Sequence, residues 1–292
     1  MKIIGTTPRG KLGNVVYRKT KNGLVVCAAP RKYDNPRTER QMRNRCQLSN
    51  LSANSRLYAD HIDRLIENKR PGQCYQNIFV QMNHGQNPVY LTKQESAERS
   101  CVLAPYIFSR GTLASIGHRI SEESLLVSGL ALGSLKIGID TTVAQFSKAL
   151  INHNPGWYDG DVLCFLYAVQ FTDRNDKTPR AEMEVWKLAL DTTGYADPTL
   201  LYDAVTPLGF TTHEGHLATS QPLANAGAAW LHARALPNGS LQVSTQRLCV
   251  VSDFLADYQS EEAFHRAAES YGGFNSKAVF LNAIPCNSSI LP

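Results

Sequence analysis

In this 292-residue chain, the residues best suited to chemistry fall into a few short clusters. His213-Glu214-Gly215-His216 comes nearest to metal chemistry, since two imidazoles three residues apart can chelate from a loop or strand, with His232 or Asp203 to complete a site. The spacing is not H-E-x-x-H, however, and Gly215 among threonines reads better as a polar turn, so no metal is expected. Trp157-Tyr158-Asp159-Gly160-Asp161 sets two carboxylates beside aromatics, the ingredients of glycoside hydrolysis. Both acids flank a turn glycine, and a turn leading into a buried strand accounts for them without catalysis. Gly129, Gly133 and Gly138 match no phosphate-cradling spacing, and no G-x-S-x-G elbow is present. Cys46 and His61 have no orienting third partner. The reading is of a protein without catalytic residues, metal or cofactor.

A cationic signal is stronger. Residues 1–70 carry 16 Lys and Arg against 5 Asp and Glu, whereas residues 71–292 carry 14 against 20. The net charge of +5 therefore hides a front segment at +11 and a remainder at −6. Arg37, Arg40 and Arg43 follow each other at helical i, i+3 steps with Arg45 beside them, and Tyr17, Arg18 and Tyr33 interleave aromatics with charge. Such a stretch can hold phosphates and stack on bases. It can equally hold the carboxylates of a neighbouring subunit, where Arg makes planar, bidentate contacts. No paired zinc ligands and no aromatic RNP run accompany it, which favours protein docking over nucleic acid.

The elements that must position these groups can be read from pattern. Leu12–Tyr17 and Leu24–Ala28 predict a β-hairpin turned at Asn22-Gly23, too small to be stable alone and so in need of a partner. After a linker over 30–35, Asn35, Pro36 and the Thr38-Glu39-Arg40-Gln41 capping-box spacing predict a helix start. An apolar stripe of Leu48, Leu51, Tyr58, Ile62 and Leu65 or Ile66 continues it, either as one helix or as two broken near 49–54, and Pro71-Gly72 ends it. Residues 73–100, rich in Asn and Gln, read as a linker or extended arm with one short helix at 74–82. Strands are expected at 101–108, 113–119, 124–132, 162–172, 182–190, 227–235, 241–251 and 277–284. Helices are expected at 143–152 and 260–270, and 191–226 reads as a long excursion or partner-binding loop.

Composition bounds the class. At 43% hydrophobic and 19% charged the chain has the balance of a globular protein rather than a disordered one. No apolar run is long enough to predict a membrane helix, and the N-terminal residues lack the apolar stretch of a secretory signal. The seven cysteines, at 27, 46, 74, 101, 164, 249 and 286, are odd in number, widely spaced and without C-x-x-C, so most are expected as small core residues of a protein folded in a reducing cytosol.

Gly10-Lys-Leu-Gly-Asn-Val-Val-Tyr17, the hairpin return, and Asn35-Pro-Arg-Thr38 with Gln41 and Arg45 together resemble an uncharacterised family of structural proteins from tailed phages and prophages of Bacteroides-type gut bacteria, the crAss-like phage virion proteins. Gly227–Arg234 and Val243–Gln246 look like the segment nearer the C-terminus of that family. The resemblance covers about residues 5–60 and 227–247; the Asn/Gln-rich 73–100 and the excursion at 191–226 depart from it. It implies a structural virion protein, assembled in the host cytoplasm, that forms a ring or tube in the neck or tail with copies of itself and neighbouring neck or tail proteins, and not with a membrane. The alternatives are a nucleic-acid-binding module using the basic helix 36–68, or an auxiliary capsid or head protein. The expected fold is α+β and mainly β: a hairpin and basic helix over 1–72 acting as a docking arm through Arg37, Arg40, Arg43 and Arg45, a linker at 73–100, and a β-sandwich or barrel-like body at 101–292 with one or two helices.

Overall fold

A computed structural model of the protein describes residues 10–20, 23–29, 37–62, 64–194, 199–204 and 209–274. Its described chain starts with β1 (Gly10–Leu12), β2 (Val15–Thr20) and β3 (Gly23–Ala28), followed by α1 (Glu39–Ala59), α2 (Tyr75–Asn83) and α3 (Lys93–Ala97). Strands β4 (Ile107–Ser109), β5 (His118–Ile120) and β6 (Leu126–Ala131) lead into α4 (Val143–His153). The long hairpin of β7 (Val162–Thr172) and β8 (Pro179–Ala189) comes next, then the single turn α5 (Leu201–Ala204) and the hairpin β9 (Phe210–His213) and β10 (His216–Thr219). Strands β11 (Ala226–Ala235), β12 (Leu241–Val243), β13 (Gln246–Arg247) and β14 (Cys249–Val251) precede α6 (Asp253–Gln259) and α7 (Glu261–Ser270). The fold is mixed α+β leaning to sheet.

A five-stranded antiparallel sheet, ordered β12-β11-β7-β8 with β14 also on β11, forms the middle layer. Strands β7 and β11 are apolar on both faces because both faces are covered. Side chains alternate along them. Leu163 and Phe165 of β7, with Ala228 and Trp230 of β11, meet α4 and the four-stranded sheet β5-β6-β10-β9 on one side. Cys164, Leu166, Ala229 and Leu231 meet α1, α2 and the segment 102–108 on the other. The sheet pair gives the sandwich-like half, and the helices add a third layer. Small residues let these layers approach: a Cβ on Gly227 would stand 2.6 Å from the side chain of Leu248.

Of the starts expected for this helix, the capping box at Thr38 is the one formed, and α1 spans Glu39–Ala59 rather than 36–68. Thr38 is the N-cap, its hydroxyl accepts from the Gln41 N–H at 3.3 Å, and the Gln41 side chain accepts from the Thr38 N–H at 3.2 Å. It runs unbroken to Ala59, which settles the choice between one helix and two. Its buried face differs from the expected stripe. Leu48 is exposed, while Gln47, Asn50, Asn54 and Ser55 are buried with Met42, Cys46, Leu51 and Tyr58. Ile62, Leu65 and Ile66 are buried too, but beyond the helix end.

Boundaries expected at 72 and 100 do not divide the fold. Leu51 and Tyr58 of α1, Phe79 of α2, Val89, Leu91 and Leu166 of β7 share one core. Residues 73–100 are therefore a built part of the body, and α1 is a core helix, not a docking arm. The expected strand at 101–108 is extended, but only Ile107–Ser109 pairs with another strand, β13. Nor is the expected excursion at 191–226 one, since β9 and β10 from within it complete the four-stranded sheet. Residues 195–198 and 205–208 lie outside the described residues, as do the expected strand at 277–284, Asn35, Pro36, Asn22 and Tyr33. Gly23 is the first residue of β3, paired with Thr20.

Candidate functional site

The structure does not bring the four arginines together as a cationic face. Arg37 precedes the helix cap with φ of 46°, and its guanidinium donates to the Gly272 carbonyl at 2.9 Å. Arg43 is held within the molecule: it donates to Glu39 at 2.8 Å, to the Tyr90 hydroxyl at 3.2 Å and to Glu261 of α7, and it lies 4.0 Å from the Phe264 ring centre. This cluster ties α1 to α7 over the small core of Met42, Cys46, Phe264 and Ala267. Arg40 and Arg45 are exposed.

His213 and His216 are cross-strand partners flanking a two-residue turn, with Glu214 at φ 50° and Gly215 at φ 74°. The motif is thus the turn that the sequence favoured, and Glu214 bonds to Arg119 at 2.5 Å. His232 sits in another sheet, on β11, stacked on Trp157 at 3.6 Å between ring centres. Among the described residues no three His, Cys, Asp or Glu side chains gather to hold a metal ion.

Asp161 follows the predicted turn at Gly160, whose φ is +82°. Its buried carboxylate accepts from the Tyr158 N–H at 2.9 Å, from His232 Nε2 at 2.8 Å and twice from Arg234 at 2.7 Å. Burial alone would raise this carboxyl, but the bonds from Arg234, His232 and Tyr158 outweigh it and hold the group below its ordinary range. Burial is also the main influence on His232, whose imidazole is lowered despite the pull of Asp161. An ionised acid saturated with donors and a neutral histidine locked against it make a structural knot. Asp159 is not part of it; it accepts from the Thr192 N–H at 2.7 Å.

The remaining candidates are accounted for by packing. Gly133 has φ of +61°, and a Cβ there would meet the His153 ring at 2.3 Å. Cys46 is buried, which pushes its thiol up to about 11, while His61 is exposed. A polar cleft of about 460 Å³ lies between Arg70, Gln73, Gln81 and Arg110, and the acid on its floor, Glu67, is occupied by Thr112 and the Val243 N–H.

The N-terminal sheet differs from all of these. It has three strands, β1-β2-β3, and among the described residues it pairs with no other sheet. The register places Leu12 beside Val15 and Val15 beside Ala28, Tyr17 beside Val26, and Lys19 beside Leu24. With alternating side chains, Leu12, Val15, Tyr17, Lys19, Leu24, Val26 and Ala28 therefore share one face, while Lys11, Val16, Arg18, Val25 and Cys27 share the other. Leu12 is 69% exposed, Val26 55%, Val25 45% and Leu24 42%. Lys11, Arg18 and Lys19 are exposed and make no ion pair among the described residues. The sequence marked the hairpin and led to the expectation of a partner; it did not mark β1 or the exposed apolar residues on both faces, which become visible only when the register joins three short runs. Neither family models, nor curated proteins, nor solved structures yield a match to this chain.

Proposed function

We propose that this chain is a non-catalytic building block that assembles by seating its N-terminal sheet on a sister copy. The observation that carries the reading is the exposed, largely apolar surface of β1-β2-β3, a sheet that pairs with no other among the described residues. Three short strands with no covered face are not independently stable, and each Leu or Val side chain taken fully out of water contributes about 1.5–3 kcal/mol. An arm that meets a different surface on the next copy makes a heterologous contact, the kind that closes into a ring or extends into a tube. The setting we infer, from the resemblance of residues 5–60 and 227–247, is the neck or tail of a tailed phage particle, with neighbouring neck or tail proteins as further partners.

Sedimentation velocity on the full chain tests this. The wild type forms oligomers at micromolar concentration, and Leu24→Asp with Val26→Asp returns it to a monomer of unchanged circular dichroism. A wild type that stays monomeric across concentrations and salt, alone and beside its neighbouring virion proteins, overturns the reading. Salt-dependent retention of duplex DNA that disappears in Arg40→Ala with Arg45→Ala would instead assign the basic residues to phosphate binding.

A further inference from the structure

We infer that the sheet's berth is the outer edge of β8 on a second copy of this chain, an inference that rests on the assembly reading above. Strand β8 ends the central sheet and pairs with β7 along its whole length, from Val162 opposite Ala189 to Thr172 opposite Pro179. No strand lies beyond it, and from Ala181 to Val185 no backbone hydrogen bond reaches anything but β7 among the described residues. A long open edge is a template for another strand. The arm carries the matching need, since among the described residues Leu24–Ala28 of β3 pairs only with β2, and it bears no charge.

Charge decides which edge fits. Glu182 and Glu184 stand on one face of β8, both exposed and both without a cation among the described residues. Arg180, the nearest cation on that face, is occupied by Asp176 at 2.6 Å and by the Glu98 carbonyl; Lys187 projects from the opposite face. Residues 1–33 contain eight Lys and Arg and no Asp or Glu, and the arm's own strands carry exposed cations on both faces, Lys11 and Arg18 on one and Lys19 on the other, without an ion pair among the described residues. Charges on an edge strand commonly guard it against pairing. Here the two glutamates repel another β8 yet attract a basic sheet, so one feature both excludes the wrong partner and admits the right one.

The test is charge reversal in the full chain, read by sedimentation velocity at low salt. Glu182→Lys with Glu184→Lys weakens association about a hundredfold, two reversed contacts at about tenfold each. Lys11→Glu with Arg18→Glu and Lys19→Glu weakens it similarly, and an equimolar mixture of the two variants forms mixed contacts that neither forms alone. Glu182→Gln with Glu184→Gln serves as the milder variant should reversal disturb folding, and is expected to weaken association about tenfold. If the glutamate variants assemble like the wild type while Leu24→Asp with Val26→Asp does not, the berth lies elsewhere and the assembly reading stands. If the wild type itself does not assemble, both fall.

Discussion

Asp161 and His232 couple the molecule to pH in a direction that the geometry fixes. The imidazole of His232 lies below its ordinary 6.5 when folded, so the unfolded chain takes up that proton first as pH falls. The Asp161 carboxyl lies below its ordinary 3.8, so its contribution is complete above that value and lost as pH falls through the folded one. In both windows the unfolded state binds more protons, and stability therefore rises with pH. His118, lowered by burial and then by Arg247, adds to the upper window. Urea midpoints are expected to be level between about pH 7 and 8 and to fall as pH drops below 6.5, with His232→Gln flattening part of that fall. A midpoint that climbs on acidification would contradict the arrangement. Asp161→Ala removes the acceptor of Arg234 and His232 and is expected to cost about 3 kcal/mol or more in urea unfolding, since it leaves buried donors and charge uncompensated.

At the level of elements, one device recurs: a buried amide clasps the backbone of a segment that is either unpaired in a sheet or at the end of a short strand. Asn50 of α1 accepts from the Val102 N–H at 2.8 Å and donates to the Val102 carbonyl at 2.9 Å. Asn83 of α2 does the same for Ile107, with both bonds at 2.8 Å. Gln170 of β7 accepts from the Leu103 N–H at 2.7 Å and donates to the Cys101 carbonyl at 3.0 Å. Asn154 clasps Ala131 in the same manner. Asn50→Ala orphans the Val102 N–H, while Asn54 still donates to its carbonyl at 3.0 Å, so the expected loss is about 1–3 kcal/mol. Leu48→Lys on the exposed side of the same helix should change stability by less than about 0.5 kcal/mol. These amides also explain what the sequence could and could not convey. The capping box at Thr38, the Glu214-Gly215 turn and the apolar runs of β7 and β11 act through neighbours in the chain, so local pattern reveals them. A burial stripe built from Gln47, Asn50 and Asn54 looks like a solvated face until its partners, some fifty residues away, are in place.

On the scale of the whole molecule, residues from 37 to 274 share one continuous body, and among the described residues the small N-terminal sheet pairs with none of its strands. The charge split pointed to two unlike surfaces, and the residues between 37 and 70 proved to belong to the body, because α1 is part of its core and Arg37 and Arg43 bond to Gly272, just past α7, and to Glu261 of α7. Deleting residues 1–29 is therefore expected to leave the urea midpoint of the body nearly unchanged while removing self-association. A large loss of stability would show that the sheet supports its own chain. Thiol chemistry provides a second global check. Burial pushes Cys164 up to about 11 and Cys101 up to about 12. In native protein these two and Cys46 should resist labelling, while the half-exposed Cys27 and Cys74 react, and denaturant should release the rest.

The amide-held segment sets an order of events. Residues 101–107 cannot zip onto a neighbouring strand as a hairpin does; they wait for side chains from two helices and a distant strand to converge, and so act as a keystone fitted late. Lesions there should hasten unfolding far more than they slow folding. The body's lifetime would then be governed by how firmly a few carboxamides grip a stretch of main chain.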